Sequence, residues 1–237
     1  MCDPAGDSAG GVVAQVDAVC EWTLVQSCRL LNRDGFSTCL GRPRSYEPAA
    51  VGTDFGRVAM AAESTTQTPP SSITMQPLGA PAMRAMLEGD LPEASRLSGR
   101  QLPSFFLGEK WLWEIRWDQL RTSPEDAPWL VRVVVLEPAG VVIGHAGFHG
   151  RPDAAGMVEL AYTVAPEHRG NGYAHAVLAA LVDEAKSCPN VNLVRATISP
   201  DNAPSLAVIR RGHFVHVGEQ WDDIDGLELI FEKQLRS

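Results

Sequence analysis

The sequence predicts an α+β fold, and three observations point to it. Three apolar runs between residues 129 and 164 are separated by short polar turns, the signature of an antiparallel meander. A helical stripe follows, with Ala174, Val177, Leu178, Leu181, Val182 and Ala185 at i, i+3, i+4, i+7, i+8 and i+11. The order read along the chain, β-α-α-β-β-β-α-β-α-β-β, groups strands and helices rather than alternating them strictly, which suits layered α+β packing.

The elements follow in order. Residues 1–62 mix Cys, Gly, Arg and Ala without a sustained period, and 63–72 (Glu-Ser-Thr-Thr-Gln-Thr-Pro-Pro-Ser-Ser) read as a linker. Residues 1–70 are therefore expected to be an irregular extension, either poorly structured or the product of a start assigned too early, and 71–237 the folded domain. A dimerising or regulatory arm, with Val12–Leu31 helical, is the other reading of the extension. Ile73–Leu78 is a strand candidate. Residues 80–89 and 105–121 carry helical spacing, the second through Phe106, Trp113, Trp117 and Leu120. Trp129–Leu136, Val141–Phe148 and Met157–Val164 form the meander, and 174–185 the striped helix. Val191–Ile198 is a strand. Asn202–Arg211 is a helix with Asp201 or Asn202 as its cap. Phe214–Val217 and Leu227–Phe231 close the pattern.

Composition removes several function classes. The chain has 237 residues, 45% of them hydrophobic, enough to bury a core. Its 29 acidic and 20 basic residues give a net charge of -9, which disfavours coating nucleic acid. Four of the five cysteines (Cys2, Cys20, Cys28, Cys39) lie in the first 39 residues, none in a C-x-x-C pair, so no zinc or redox motif is expected. Gly11–Leu31 is interrupted by Asp17, Glu21 and Arg29, unlike a signal peptide or membrane span. The expectation is a cytoplasmic protein with reduced thiols, as a monomer or homodimer.

The chemistry concentrates in Glu159-Leu-Ala-Tyr-Thr-Val-Ala-Pro-Glu-His-Arg169-Gly-Asn-Gly172-Tyr-Ala174: strand, proline-marked exit, glycine-rich turn, helix. Backbone N–H groups turned together at a helix start favour a pyrophosphate. Glycines needed only for a turn are the other reading. Walker A fails because Gly172 precedes Tyr173 rather than Lys. The dinucleotide fingerprint fails because His175 stands at its third glycine.

Arg169-Gly-Asn-Gly172-Tyr-Ala174 instead resembles the Arg/Gln-x-x-Gly-x-Gly/Ala loop of the GNAT superfamily of N-acyltransferases. The resemblance extends upstream through Glu159-Leu-Ala-Tyr162-x-Val164-x-Pro166-Glu-x-Arg169. Downstream it takes in Ser199-Pro-Asp-Asn202-Ala-Pro-Ser205 and Gly212-His-Phe214. In element order it covers about residues 73–235, and it is nearest to the subgroup acting on ribosomal-protein N-termini and aminoglycosides. It implies a mixed, mostly antiparallel sheet flanked by helices. It also implies an N-acetyltransferase that moves an acetyl group from acetyl-CoA, as co-substrate, to a primary amine by direct attack, without a metal. That amine is a protein lysine, an N-terminal amine or a small molecule, with no nucleic acid or membrane as partner. A non-catalytic acyl-CoA sensor is the alternative. Backbone groups at Val164 and Ala165 would hold pantetheine and the thioester oxygen. Those of Arg169, Gly170, Asn171, Gly172, Tyr173 and Ala174 would hold the pyrophosphate. Asn202 and Ser205 would bond the pantetheine arm.

The sequence departs from that pattern in three places. The closing turn glycine is shifted by one, at Gly212. Ile209 occupies the place of the tyrosine that protonates the leaving thiolate in many members. Ala174 replaces the last glycine, which the pattern allows. Glu159 is the general-base candidate, sharing a strand face with Ala161 and Thr163; a structural ion pair or a solvated strand face is its other reading. Ser205 is either the thiolate's proton donor or a helix-cap hydroxyl. His145 and His149 share a face about 13 Å apart, too far for one metal ion. Each is an acceptor-site or a structural histidine. His168 and His175 flank the loop and are expected to be exposed. Trp111, Trp113, Trp117 and Trp129 either roof the acceptor pocket or pack in the core.

Overall fold

Seven strands form one sheet in the order β1-β2-β3-β4-β5-β7-β6 in the computed structural model, which describes residues 72–236. The strands are β1 (Ser72–Pro77), β2 (Arg132–Glu137), β3 (Val141–Phe148), β4 (Met157–Val164), β5 (Leu193–Ile198), β6 (Val215–Asp222) and β7 (Gly226–Gln234). The helices are α1 (Ala80–Leu87), α2 (Leu91–Ser98), α3 (Lys110–Thr122), α4 (Tyr173–Ser187) and α5 (Ala203–Arg211). The extension expected over 1–70, with its Val12–Leu31 helix, lies outside the described residues; of the linker read over 63–72, Ser72 opens β1.

β1 to β4 are antiparallel neighbours, as the meander predicts. β4 and β5 pair in parallel, and only from Met157/Leu193 to Glu159/Arg195. Beyond that point the two strands separate, leaving a cleft that opens toward the C-terminal end of β4. β7 inserts between β5 and β6, so β6 is an edge strand, as is β1 at the other side.

Alternation along β4 decides what lies on each face. Val158, Leu160 and Tyr162 enter a core built with Val177, Leu178, Leu181 and Val182 of α4 and Leu206 and Ile209 of α5. A second core on the opposite side joins α1, Phe106, Leu112 and Trp113 to Val133, Val135 and Val142. Ile209, 0% exposed, is therefore a packing residue.

Several sequence expectations change. The helix expected over 105–121 is a 3-10 turn at Ser104–Glu109 followed by α3. The strand expected from Trp129 begins at Arg132, because Trp129 N–H bonds the Asp126 carbonyl in a turn. β6 and β7 run longer than expected. α2 is an addition: Asp90 caps it by accepting from Glu93 N–H at 2.9 Å, and Gly99 ends it at φ 68°.

The closing turn corrects the reading of Gly212. Its φ is -72°, and the left-handed residue is His213 at φ 59°. Gly212 serves close packing instead, since a Cβ there would lie 2.7 Å from Leu178 Cδ2. A left-handed non-glycine residue costs roughly 1 kcal/mol. His213→Gly is expected to raise the melting temperature by about 2–4 °C, measured by thermal unfolding. A lowered value would show that the His213 side chain stabilises the turn.

Candidate active site

The glycine loop fits a pyrophosphate on its backbone geometry. Gly170 and Gly172 sit at φ 77° and 80°, and added Cβ atoms would meet nothing within 4 Å, so the glycines serve conformation and not crowding. Arg169 Nε donates to the Val164 carbonyl at 3.0 Å, and Asn171 Nδ2 donates to the His168 and Arg169 carbonyls at 3.1 Å. These bonds hold the loop to the end of β4. Among the described residues, the N–H groups of Gly170 through Ala174 donate to no backbone carbonyl. Unengaged donors at the start of a 15-residue helix make a nest of a kind that suits an anion.

A groove of about 760 Å³ runs from this loop along α4 to the end of α5. His175, Lys186, Arg211 and Lys233 line it, with Asp183 as the acidic exception. Burial, and then Arg211, lower the His175 pKa. Lys233 Nζ also donates to the Gly212 carbonyl at 2.8 Å. The sequence reading did not assemble this cationic groove. The doublet Arg210-Arg211 at the end of a helix was its one local sign.

The remaining candidate residues lie at the end of β4 and the start of α5. Val164 and Ala165 are buried, with Ala165 N–H bonded to the Ile143 carbonyl at 2.8 Å. Asn202 caps α5 by accepting from Ser205 N–H at 3.1 Å, and Ser205 is 7% exposed. The cap expectation is thus met by Asn202. Tyr162 is directed into the α4 core; its hydroxyl is buried without a partner, and burial raises its pKa.

Glu159 lies on the other face of β4 and is 5% exposed. Thr197 Oγ1 donates to its Oε1 at 2.7 Å, and His149 Nδ1 is 3.9 Å from its Oε2. Arg116 of α3 donates to the His149 carbonyl at 3.2 Å, tying the helical layer to this corner. Thr197 and Arg116 were not among the expected site residues, because neither stands in a local motif.

Other expectations resolve as packing. His145 Nε2 lies 2.6 Å from Glu109 Oε2, surrounded by Phe105, Phe106 and Trp113. Trp113 is 0% exposed and donates from Nε1 to the Phe106 carbonyl at 2.7 Å. Trp129 packs on Phe148 on the opposite side of the sheet. An aromatic roof built from Trp113 and Trp129 is therefore excluded. His168 and His175 are half-buried rather than exposed, His168 lying edge-on to Tyr173.

Comparison with known proteins agrees with this geometry. A curated relative, the uncharacterized N-acetyltransferase p20 of Bacillus licheniformis, is 27% identical over 85 residues, 36% of this chain and 48% of the relative. The chain thus matches about half the length of that protein. A spermidine N-acetyltransferase SpeG chimera from Vibrio cholerae and hSSAT superposes with a TM-score of 0.52 at 14% identity, covering 70% of this chain and 96% of the other. A dodecameric spermidine N-acetyltransferase from Vibrio cholerae gives 0.50 at 16% identity, covering 70% and 95%. At these identities the shared property is the fold. The family model of the acetyltransferase (GNAT) domain matches residues 84–215, more than half of the chain. With its cleft between parallel strands and its N–H nest at the start of α4, this chain belongs to the GNAT acetyltransferase family.

Proposed function

We propose that the chain is an N-acetyltransferase using acetyl-CoA to acetylate a primary amine. The observation that carries the reading is the nest of five unengaged N–H groups beside a cleft bordered by a buried carboxylate. Acetyl-CoA supplies the activated acyl group. The N–H groups of Gly170–Ala174 bind its pyrophosphate, while that of Arg169, expected with them, donates to the Pro166 carbonyl at 3.3 Å; the backbone at Val164 and Ala165 orients the pantetheine. Glu159, held by Thr197, accepts the amine's proton. Asn202 positions α5, and Ser205 is the proton donor to the thiolate, since Ile209 has none to give. The spermidine acetyltransferases that share the fold act on amines of the same chemical class. Among the described residues no helix is long and apolar enough to cross a membrane, and we place the protein in the cytoplasm. Ile209 favours one second reading, an acyl-CoA sensor without turnover.

The test is incubation with acetyl-CoA and a panel of amines and peptides, read by mass shift and by thiol release. A gain of one acetyl group with stoichiometric CoA supports the transferase. Tight CoA binding without transfer to any acceptor would replace it by the sensor. The cationic groove makes a separate prediction. Arg211→Glu is expected to weaken CoA about tenfold and dephospho-CoA less, measured by calorimetry, because the extra phosphate of CoA lies beyond the pyrophosphate. Equal losses for both ligands would remove Arg211 from the phosphate contact.

A further inference from the structure

Glu228 of β7 is 1% exposed, on the same sheet face as Glu159. The pairing places it there. Glu159 is level with Arg195, and Thr197, two residues on, donates to Glu159. Thr197 is paired with Ile230, which makes Glu228 its diagonal neighbour, within about 7–8 Å. Thr197 therefore stands between two buried carboxyl groups. Among the described residues, no cation pairs with Glu228. Arg195 binds Glu232, with Nε 3.0 Å from Oε1. Gln220 of β6 donates to Glu228 Oε2 at 2.8 Å, while Asp222 and Asp225 approach from β6 and the following turn. His149 and, through its carbonyl, Arg116 close the Glu159 side.

We propose that Glu228 is a positioning residue for the proton acceptor: it and Glu159 titrate as one pair across Thr197, and Glu228 sets the pH at which Glu159 is free to take the acceptor's proton. Two buried carboxylates that flank one threonine repel, so ionising both is disfavoured. Consistent with this, burial pushes Glu228 up to about 7, Gln220 opposes the shift, and Asp222, Glu159 and Asp225 add to it. Proton transfer is balanced at the carboxylate: the ammonium loses H⁺, the amine keeps its lone pair, and the pair gains H⁺. That proton returns to solvent after release. Gln220, a neutral donor, fits a carboxyl that alternates between charged and neutral forms.

The kinetic arm rests on the transferase reading. Glu228→Gln is expected to move the acid limb of the kcat/KM profile down by about one pH unit, leaving the KM for acetyl-CoA within about twofold. Glu228→Asp, which keeps the charge, should hold the limb near the wild-type position. A Glu228→Gln limb that stays in place, or moves up, overturns the proposal. A second arm needs no activity. The folded-state value of Glu228 is raised, so its stabilisation is complete below the unfolded carboxylate range and is lost as pH rises through about 7. Wild-type melting temperature should fall by a few degrees from pH 5 to pH 8. The fall should shrink in Glu228→Gln and also in Glu159→Gln. A fall unchanged in Glu159→Gln would show that the groups titrate independently and would overturn the pair. Absence of any acetyl transfer, with this coupled pH response intact, would instead count against the transferase reading alone.

Discussion

Gly172→Asp is expected to reduce CoA affinity at least 100-fold in a protein that remains folded. Gly172 is the N-cap of α4 at φ 80°, among five N–H groups that bind no backbone carbonyl of the described residues. Aspartate would put a carboxylate where the helix end attracts an anion, reversing the local electrostatics toward a pyrophosphate. The space beside Gly172 is open, so the side chain meets no steric barrier, and the conformational penalty is about 1–2 kcal/mol. Circular dichroism should therefore show native structure while calorimetry shows the loss. A folded variant with unchanged CoA affinity would remove the cofactor assignment entirely. Gly172→Ala separates the two effects, because it adds strain without charge and should weaken binding much less.

Glu159→Gln is expected to lower kcat by about 10²–10⁴-fold, with the KM for acetyl-CoA little changed. The amide keeps the size of the side chain and can still accept from Thr197 Oγ1, which now donates to Glu159 Oε1 at 2.7 Å. What disappears is the ability to take a proton. The split between kcat and KM matters, since the N–H nest that would hold the pyrophosphate lies at the opposite end of β4. A kcat near wild type from pH 6 to 9 would make Glu159 a structural carboxylate. A large rise in the acetyl-CoA KM would show that the substitution had disturbed the cleft itself.

Local signals made much of this chain legible. β3 and β4 begin and end where the alternation and turns place them. The α4 stripe faces the core, and Asn202 caps α5. The glycine loop was readable because its conformation lies in the backbone: positive φ favours glycine, and a helix start concentrates free N–H groups whatever the surrounding fold. Glu159 could be proposed because an acidic residue in an otherwise apolar strand is costly to bury without a partner.

The partners of these residues were decided elsewhere. Thr197 lies 38 positions from Glu159 and carries no motif of its own. Glu228 reaches the same face because β7 inserts between β5 and β6, an order set by interstrand hydrogen bonds rather than by the period of any one strand. His175, Lys186, Arg211 and Lys233 share a groove because α4 packs beside the end of α5. The left-handed turn falls on His213 because Gly212 is needed against Leu178. By itself, the sequence determined the elements that depend on neighbours a few residues apart, together with the glycine-rich loop. Only the tertiary structure decided which charges meet, because burial and electrostatic coupling depend on distances between segments far apart in the chain.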